Sequence, residues 1–410
     1  MIVTRIVMSR TAESLEPKLT VTTGMTTLLT TDNINQSANI IANNCVILGV
    51  NATIPWDNSR NLISQEAEYH IDRLKSAVFI PILYLIGAPA NIVNMVVFFK
   101  QSLKERINVC LFSLALVDFV YLTLLFVFYA ERIYTQFTDG ERYGPVYRYM
   151  MNNNVVGLYG FSYGSTLLSA IISTERCVCV LFPLRAQRCI PTKVLTVVIV
   201  VSVSVLVSLR FIITAQYQVT CFYEMRTERQ SWQVYVTDYH FRNKAMLEAL
   251  NGVLYGFCLS VGCPVVVLIT TTITAISLQQ TVRWRSKTSS HVSSAKDIGV
   301  TKMLIALSIE FFVLSIPIIV LRVSPVFQPQ LNAGGHYANA FLVLLGFAEL
   351  SSYTSSSVNF FVYYFTGTKY RETLHDLVGR RTPSTKLGPV KAVSVATVTR
   401  NLNFMIQAGA

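Results

Sequence analysis

Six ionisable residues stand inside the long apolar stretches of this chain: Asp118, Glu175, Arg176, Arg210, Glu310 and Glu349. A charge at the centre of an apolar helix costs roughly 2.5–3.5 kcal/mol on insertion scales, so each needs a partner, water or a task. Glu175 and Arg176 adjoin within "LSAIISTERCVCVLFPLR", residues 168–185, where an apolar run gives way to basic residues and Pro183 breaks the helix. An arginine there can be neutralised by its neighbour in one state and released to another partner in a second. That is switching chemistry; the plainer alternative is a static interfacial pair. Asp118 lies deep in "LFSLALVDFVYL" without an adjacent base, as a hydrogen-bonded or ion-binding carboxylate would. Arg210 stands near the end of its run, where snorkelling is expected, and Glu310 is expected to make an interhelical hydrogen bond. No HExxH or paired catalytic aspartates occur, so no enzyme and no metal site is expected.

The elements that hold these residues are apolar runs. The 410-residue chain is 52% hydrophobic and only 14% charged, too apolar for a soluble domain of this length. Seven runs approach the ~20 residues that cross a bilayer: about 77–99, 109–130, 155–181, 194–214, 250–278, 303–321 and 338–365. The third, fifth and seventh are diluted by Ser, Thr, Gly and Tyr, which suits protein-facing helices. Only helices and closed barrels satisfy their backbone in lipid, and these runs predict an all-α membrane protein, a seven-helix bundle.

The net charge of +12 invites a nucleic-acid reading, but its distribution opposes one. With the amino terminus outside, the cytoplasmic segments hold eighteen bases against four acids, while the outer segments balance. Residues 1–76, rich in Thr, Ser and Asn, read as an extracellular disordered tail without a cleavable signal. Asn35 and Asn51 are glycosylation acceptors there, and 379–410 reads as a cytoplasmic tail. Of eight cysteines only Cys45 and Cys221 fall outside, so a disulfide framework is not expected.

Over residues 77–378 the sequence resembles the rhodopsin-like G-protein-coupled receptors. "TER" stands at that family's acid-Arg-aromatic triplet, with Cys177 in place of the aromatic. "ANIVN" supplies the first-helix asparagine as Asn91, and "LALVD" puts Asp118 at the sodium-binding aspartate. "SVNFFVYY" matches NPxxY through Asn359 and Tyr363, with Phe360 for the proline; Tyr370 falls in a short amphipathic eighth helix. Pro264 and Pro317 fit the prolines of the fifth and sixth helices. Within the family the texture of "NIVNMVVFFKQSLKERINVCLFSLALVDF" resembles molluscan chemosensory receptors and, more distantly, invertebrate neuropeptide receptors.

The resemblance implies a plasma-membrane receptor that binds a small-molecule or peptide ligand outside and activates a heterotrimeric G protein inside. Receptor kinases and arrestin are implied partners of "KTSSHVSS" and of the tail segments "RRTPSTK" and "SVATVTR". Arg176 would pair at rest with Asp297, twenty residues before Pro317, and Asn359 and Tyr363 would rearrange on activation. Asp118, Ser165 and Ser356, beside Asn91, would hold an allosteric sodium ion or a water network; no other cofactor is required. Ligand binding is expected among Leu158, Tyr159, Tyr163, Ser315, Glu349 and Tyr353. Leu158 replaces the aspartate of amine receptors, and Ser315 replaces the toggle tryptophan. Glu349 is a counter-ion for a cationic ligand or else a partner of Tyr159, Tyr163 or Tyr353. The usual third-helix cysteine would stand near Met151, so the expected outer disulfide becomes Cys45 with Cys221, a pairing that sequence alone does not fix. A transporter or channel is the alternative from another class, opposed by the lack of an internal repeat or a row of pore charges.

Overall fold

A computed structural model describes residues 45–48, 62–138, 144–182, 191–224, 229–286, 295–332 and 335–379. Seven long helices form the bundle. The first spans Gln65–Lys100, the second Arg106–Thr138, the third Val155–Leu181 and the fourth Thr192–Thr214. The fifth begins at Lys244, runs through a π-helical stretch Ala249–Gly262 and ends as Cys263–Ser286. The sixth is Ala295–Phe327, the seventh Ala338–Thr366, and a short eighth helix covers Thr368–Leu377. The first six are long and apolar enough to cross a membrane by length and composition. The seventh is 29 residues long, but Glu349, Asn359 and a row of Ser and Thr dilute its apolar content. The chain is therefore a multi-pass, all-α membrane protein.

The first helix begins well before residue 77, so 65–76 is helical rather than part of a disordered tail. Its local sequence explains this. Ser64 caps Ala67 N at 3.2 Å, Glu66 and Glu68 occupy the first turn of "QEAEYHIDRL", and Arg73 occupies the last. Residues 75–79 then form a π-helical turn.

Third and fourth helices pack closely because Gly160 faces Val207: a Cβ there would lie 2.5 Å from the Val207 Cα. At the same end of the bundle the chain forms a three-stranded sheet that none of the apolar runs foretold. Strand β1 (Val46–Leu48) pairs parallel with β2 (Tyr217–Glu224), which pairs antiparallel with β3 (Arg229–Val236). Cys45 and Cys221 are joined by a disulfide beside that pairing. The sheet is fastened to a short helix, Pro145–Asn152, by Asn152, which donates to Val219 O at 3.1 Å and accepts from Val219 N at 2.7 Å. The Glu131 carboxylate caps that helix through Val146 N and Tyr147 N, both at 2.9 Å.

At the opposite end the eighth helix is held by Arg371, which donates to Tyr364 O and Phe365 O at 3.0 and 2.9 Å and so caps the seventh helix. The two largest buried apolar clusters lie around Leu111, Leu168 and Tyr363 and around Leu122, Phe128 and Tyr353.

Candidate functional site

Three groups of polar residues lie along the bundle axis. At the eighth-helix end, Arg176 Nε donates to Glu175 Oε2. Arg106, at the start of the second helix, approaches Glu175 Oε1 at 3.6 Å, and the Cys179 thiol donates to the same oxygen at 3.2 Å. One carboxylate thus holds two guanidiniums, and Arg106 is a partner that the spacing of "TER" does not reveal. Asp297 lies in the first turn of the sixth helix, with its side chain outside the described residues. Asn35, Asn51, Pro183, "KTSSHVSS" and the tail beyond 379 lie outside them too.

In the middle, Asp118 is completely buried. Its Oδ1 accepts from Ser165 Oγ at 2.6 Å and from Ser356 Oγ at 2.8 Å, and its Oδ2 accepts from Asn359 Nδ2 at 2.8 Å. Asn91 donates to Gly87 O at 3.0 Å and to Ser356 O at 2.8 Å, which brings the first helix into the same set. Three charge-assisted hydrogen bonds from the third and seventh helices answer the cost of burying the carboxylate. Tyr363, one turn further, is buried edge-on against Phe98 at 5.2 Å between ring centres. Tyr370 donates to Asn94 Oδ1 at 2.6 Å, a link from eighth to first helix that sequence reasoning passed over, although "ANIVN" contains the asparagine.

Nearer the sheet, a cavity of about 80 Å³ opens between the third, fifth, sixth and seventh helices. Tyr163, Pro264, Phe311, Ser315, Glu349 and Ser352 are among the residues that line it, and Ser165 and Ser356 join it to the Asp118 set. Tyr163, Ser315 and Glu349 thus stand where a ligand pocket was expected. Leu158, Tyr159 and Tyr353 do not line it. Leu158 sits in the 3₁₀ turn that opens the third helix, Tyr159 packs against Phe128, and Tyr353 donates to Leu122 O at 2.8 Å within the core. Ser315 donates to Phe311 O at 2.7 Å, within its own helix.

Glu349 differs from expectation. Its Oε2 accepts from Lys75 Nζ at 2.8 Å and from Tyr129 OH at 2.9 Å, and Lys75 also lies 3.2 Å from Asp72. None of the three tyrosines named for it is its partner, and its charge is already matched, which removes the ground for a counter-ion role. Glu310 faces Ser355 on the seventh helix, but neither carboxylate oxygen has a hydrogen-bond partner within 3.5 Å, so the expected interhelical bond is not closed. Arg210 does not snorkel. It is only 3% exposed, its guanidinium carbon 5.7 and 5.5 Å from the ring centres of Tyr163 and Tyr255, with Asn251 Oδ1 at 3.4 Å.

A hydroxyl-lined cavity, a buried carboxylate joining three helices, and an acid-arginine cluster at the far end form a column. The column makes no bond-breaking constellation and, among the described residues, no cluster of metal ligands; it suits transmission between two ends of a bundle. Residues 78–381 match the family described as the serpentine type 7TM GPCR chemoreceptor Srw. No curated protein matches the chain.

Proposed function

Because the chain belongs to the serpentine 7TM chemoreceptor Srw family, a receptor family and not one of enzymes, we propose that it senses an external chemical ligand and activates a heterotrimeric G protein. The ligand enters at the sheet end and occupies the cavity beside Tyr163, Phe311 and Ser315. The G protein docks at the end that carries Glu175, Arg176 and the eighth helix. The observation that carries this reading is the Asp118 carboxylate: its hydrogen bonds join the cavity's own Ser165 and Ser356 to Asn359 of the seventh helix. A ligand that moves the third helix against the seventh must rearrange that set, and the rearrangement shifts the population of the Glu175–Arg176 cluster. It can do so only by binding the two states with different affinity.

In the resting state Glu175 retains Arg176, with Arg106 as a second cation on the same carboxylate. Asp297 is the proposed alternative partner of Arg176, on the sixth helix. The oxygens of Asp118, Ser165 and Ser356 suit a sodium ion, once the two hydroxyls turn from donating to the carboxylate to offering lone pairs. That ion favours the resting state. The excess of bases on the Arg176 side supports a plasma-membrane orientation with the amino terminus outside and the tail, with its kinase and arrestin sites, in the cytoplasm. The rhodopsin-like motifs support the same mechanism, and the molluscan likeness supports a chemosensory role over a neuropeptide one.

The test is calcium imaging of cells that express the chain with a promiscuous G protein, challenged with amino acids, organic acids, amines and short amidated peptides. A response that disappears in Arg176→Ala at equal surface expression is the expected result. A response that persists in that variant overturns the coupling role of Arg176, and transport current without G-protein dependence overturns the receptor reading.

A further inference from the structure

Two guanidinium groups beside the cavity pair with no acid among the described residues. Arg210 on the fourth helix is 3% exposed and Arg322 on the sixth is half-buried. Among the described residues neither forms an ion pair, in contrast to Lys75, Arg106 and Arg176. Both reach the same tyrosine. Arg322 Nη2 donates to the Tyr163 hydroxyl at 3.4 Å, and Arg210 lies over the rings of Tyr163 and Tyr255. The Nε atoms of both arginines are buried without an acceptor. Two guanidiniums carry ten N–H donors, and here they meet one tyrosine hydroxyl, one asparagine oxygen and two ring faces. Burying cations on such terms is unfavourable unless an anion arrives.

Room for one lies next door, since Tyr163, which both arginines reach, lines the cavity. The π-helical stretch Ala249–Gly262 presents Asn251, Tyr255 and Gly256 to the arginines, and π-turns recur at functional sites. Gly256 packs closely on this side: an added Cβ would lie 3.1 Å from Asn251 O and 3.8 Å from Arg322 Nη1. The cavity's own carboxylate, Glu349, is neutralised by Lys75, so the uncompensated charge next to Tyr163 is positive. A cationic ligand would be repelled there.

We propose that the ligand carries a carboxylate, bound by Arg322 and Arg210 beside Tyr163, while its remaining atoms fill the cavity against Phe311, Ser315 and Ile318. This deepens the receptor reading and rests on that cavity being the ligand site. The free Nε of each arginine, together with a terminal nitrogen, offers the two-donor edge that matches a carboxylate, which a lysine cannot supply.

The experiment is thermal unfolding of the purified full-length protein in lipid nanodiscs, titrated with acetate, citrate and phenylpropionate, and with phenylpropionamide and phenylpropylamine as uncharged and cationic counterparts. A ligand that binds the folded state raises the unfolding temperature in proportion to its occupancy. The expected result is protection by at least one carboxylate, none by the amide or amine, and a loss of affinity of about tenfold or more in Arg322→Gln, with Arg322→Lys intermediate. Equal protection by acid and amide, unchanged protection in Arg322→Gln, or no protection by any acid up to about 10 mM overturns the proposal. Protection by sodium sulfate equal to that by the organic acids overturns it in favour of a bare inorganic-anion site. Arg210→Gln is the parallel variant; should that buried substitution fail to fold, Arg322→Gln decides alone, its one hydrogen bond among the described residues being that to Tyr163. The readout needs no G protein, so protection without any cellular response refutes the coupling mechanism and leaves the anion site standing.

Discussion

Lys75 and Glu349 join the first helix to the seventh, and removing either charge should have unequal effects. The side chains are 9% and 8% exposed and their charged atoms lie 2.8 Å apart. Lys75→Met leaves the Glu349 carboxylate buried with only the Tyr129 hydroxyl, an uncompensated charge that costs about 3–5 kcal/mol. Glu349→Gln leaves Lys75 with Asp72 at 3.2 Å, a 20% exposed carboxylate, so the loss is that of one buried hydrogen-bonded contact, about 1–2 kcal/mol. The double variant Lys75→Met, Glu349→Leu exchanges the pair for apolar volume and should return to within about 2 kcal/mol of the parent. Unfolding can be followed in detergent with a thiol-reactive dye, because Cys110 and Cys177 are 0% and 6% exposed and label only when the bundle opens. Cys258 is exposed and should first be replaced by serine. Equal losses in the two single variants, or a double variant whose loss is their sum, would refute the reasoning.

Further outcomes follow from the same contacts. Glu175→Gln releases Arg176 and Arg106 together and should raise basal signalling about tenfold at matched expression, as 1.4 kcal/mol of lost pairing would; basal output equal to the parent would mean that the pair does not bias the resting state. Asp118→Asn removes the negative charge that would hold the ion, so exchanging sodium for N-methylglucamine should alter agonist potency in the parent and not in the variant. Gly160→Val forces a side chain into the Val207 backbone and should cost about 1–3 kcal/mol or more, read as lost surface expression. Cys221→Ser opens the link to Cys45 and should lower stability by about 2–5 kcal/mol, with no change in the parent's mobility under reduction if the link is absent.

Much of the bundle is legible because its helices are written as uninterrupted apolar runs: the fourth run, 194–214, becomes Thr192–Thr214, and the seventh, 338–365, becomes Ala338–Thr366. Helices that continue past their apolar part are not, since "QEAEYHIDRL" and "ERIYTQFT" look like loop by hydropathy alone. The sheet escaped for a related reason: "YQVTCFYE" and "RQSWQVYV", which pair with each other, are short and only loosely alternating, and the third strand, Val46–Leu48, joins them from far away in the chain. Asp118 is visible as a lone acid in an apolar helix, and the motif likeness points to Ser165 and Ser356. Lys75 and Arg322 are invisible, because each stands just beyond the edge of a run and reads as an ordinary flanking charge. Their burial is decided by neighbours far away in the chain, Glu349 for Lys75 and Tyr163 for Arg322.

The disulfide between Cys45 and Cys221 closes residues 45–221 into one covalent ring, which includes the link from β1 to the first helix. A protease that cuts inside that ring cannot release the amino-terminal segment, which stays tethered until a reductant arrives. Shedding of this receptor's leading segment would therefore require two chemical events, hydrolysis and thiol exchange, and receptor made in a reducing compartment would lose the segment after the first.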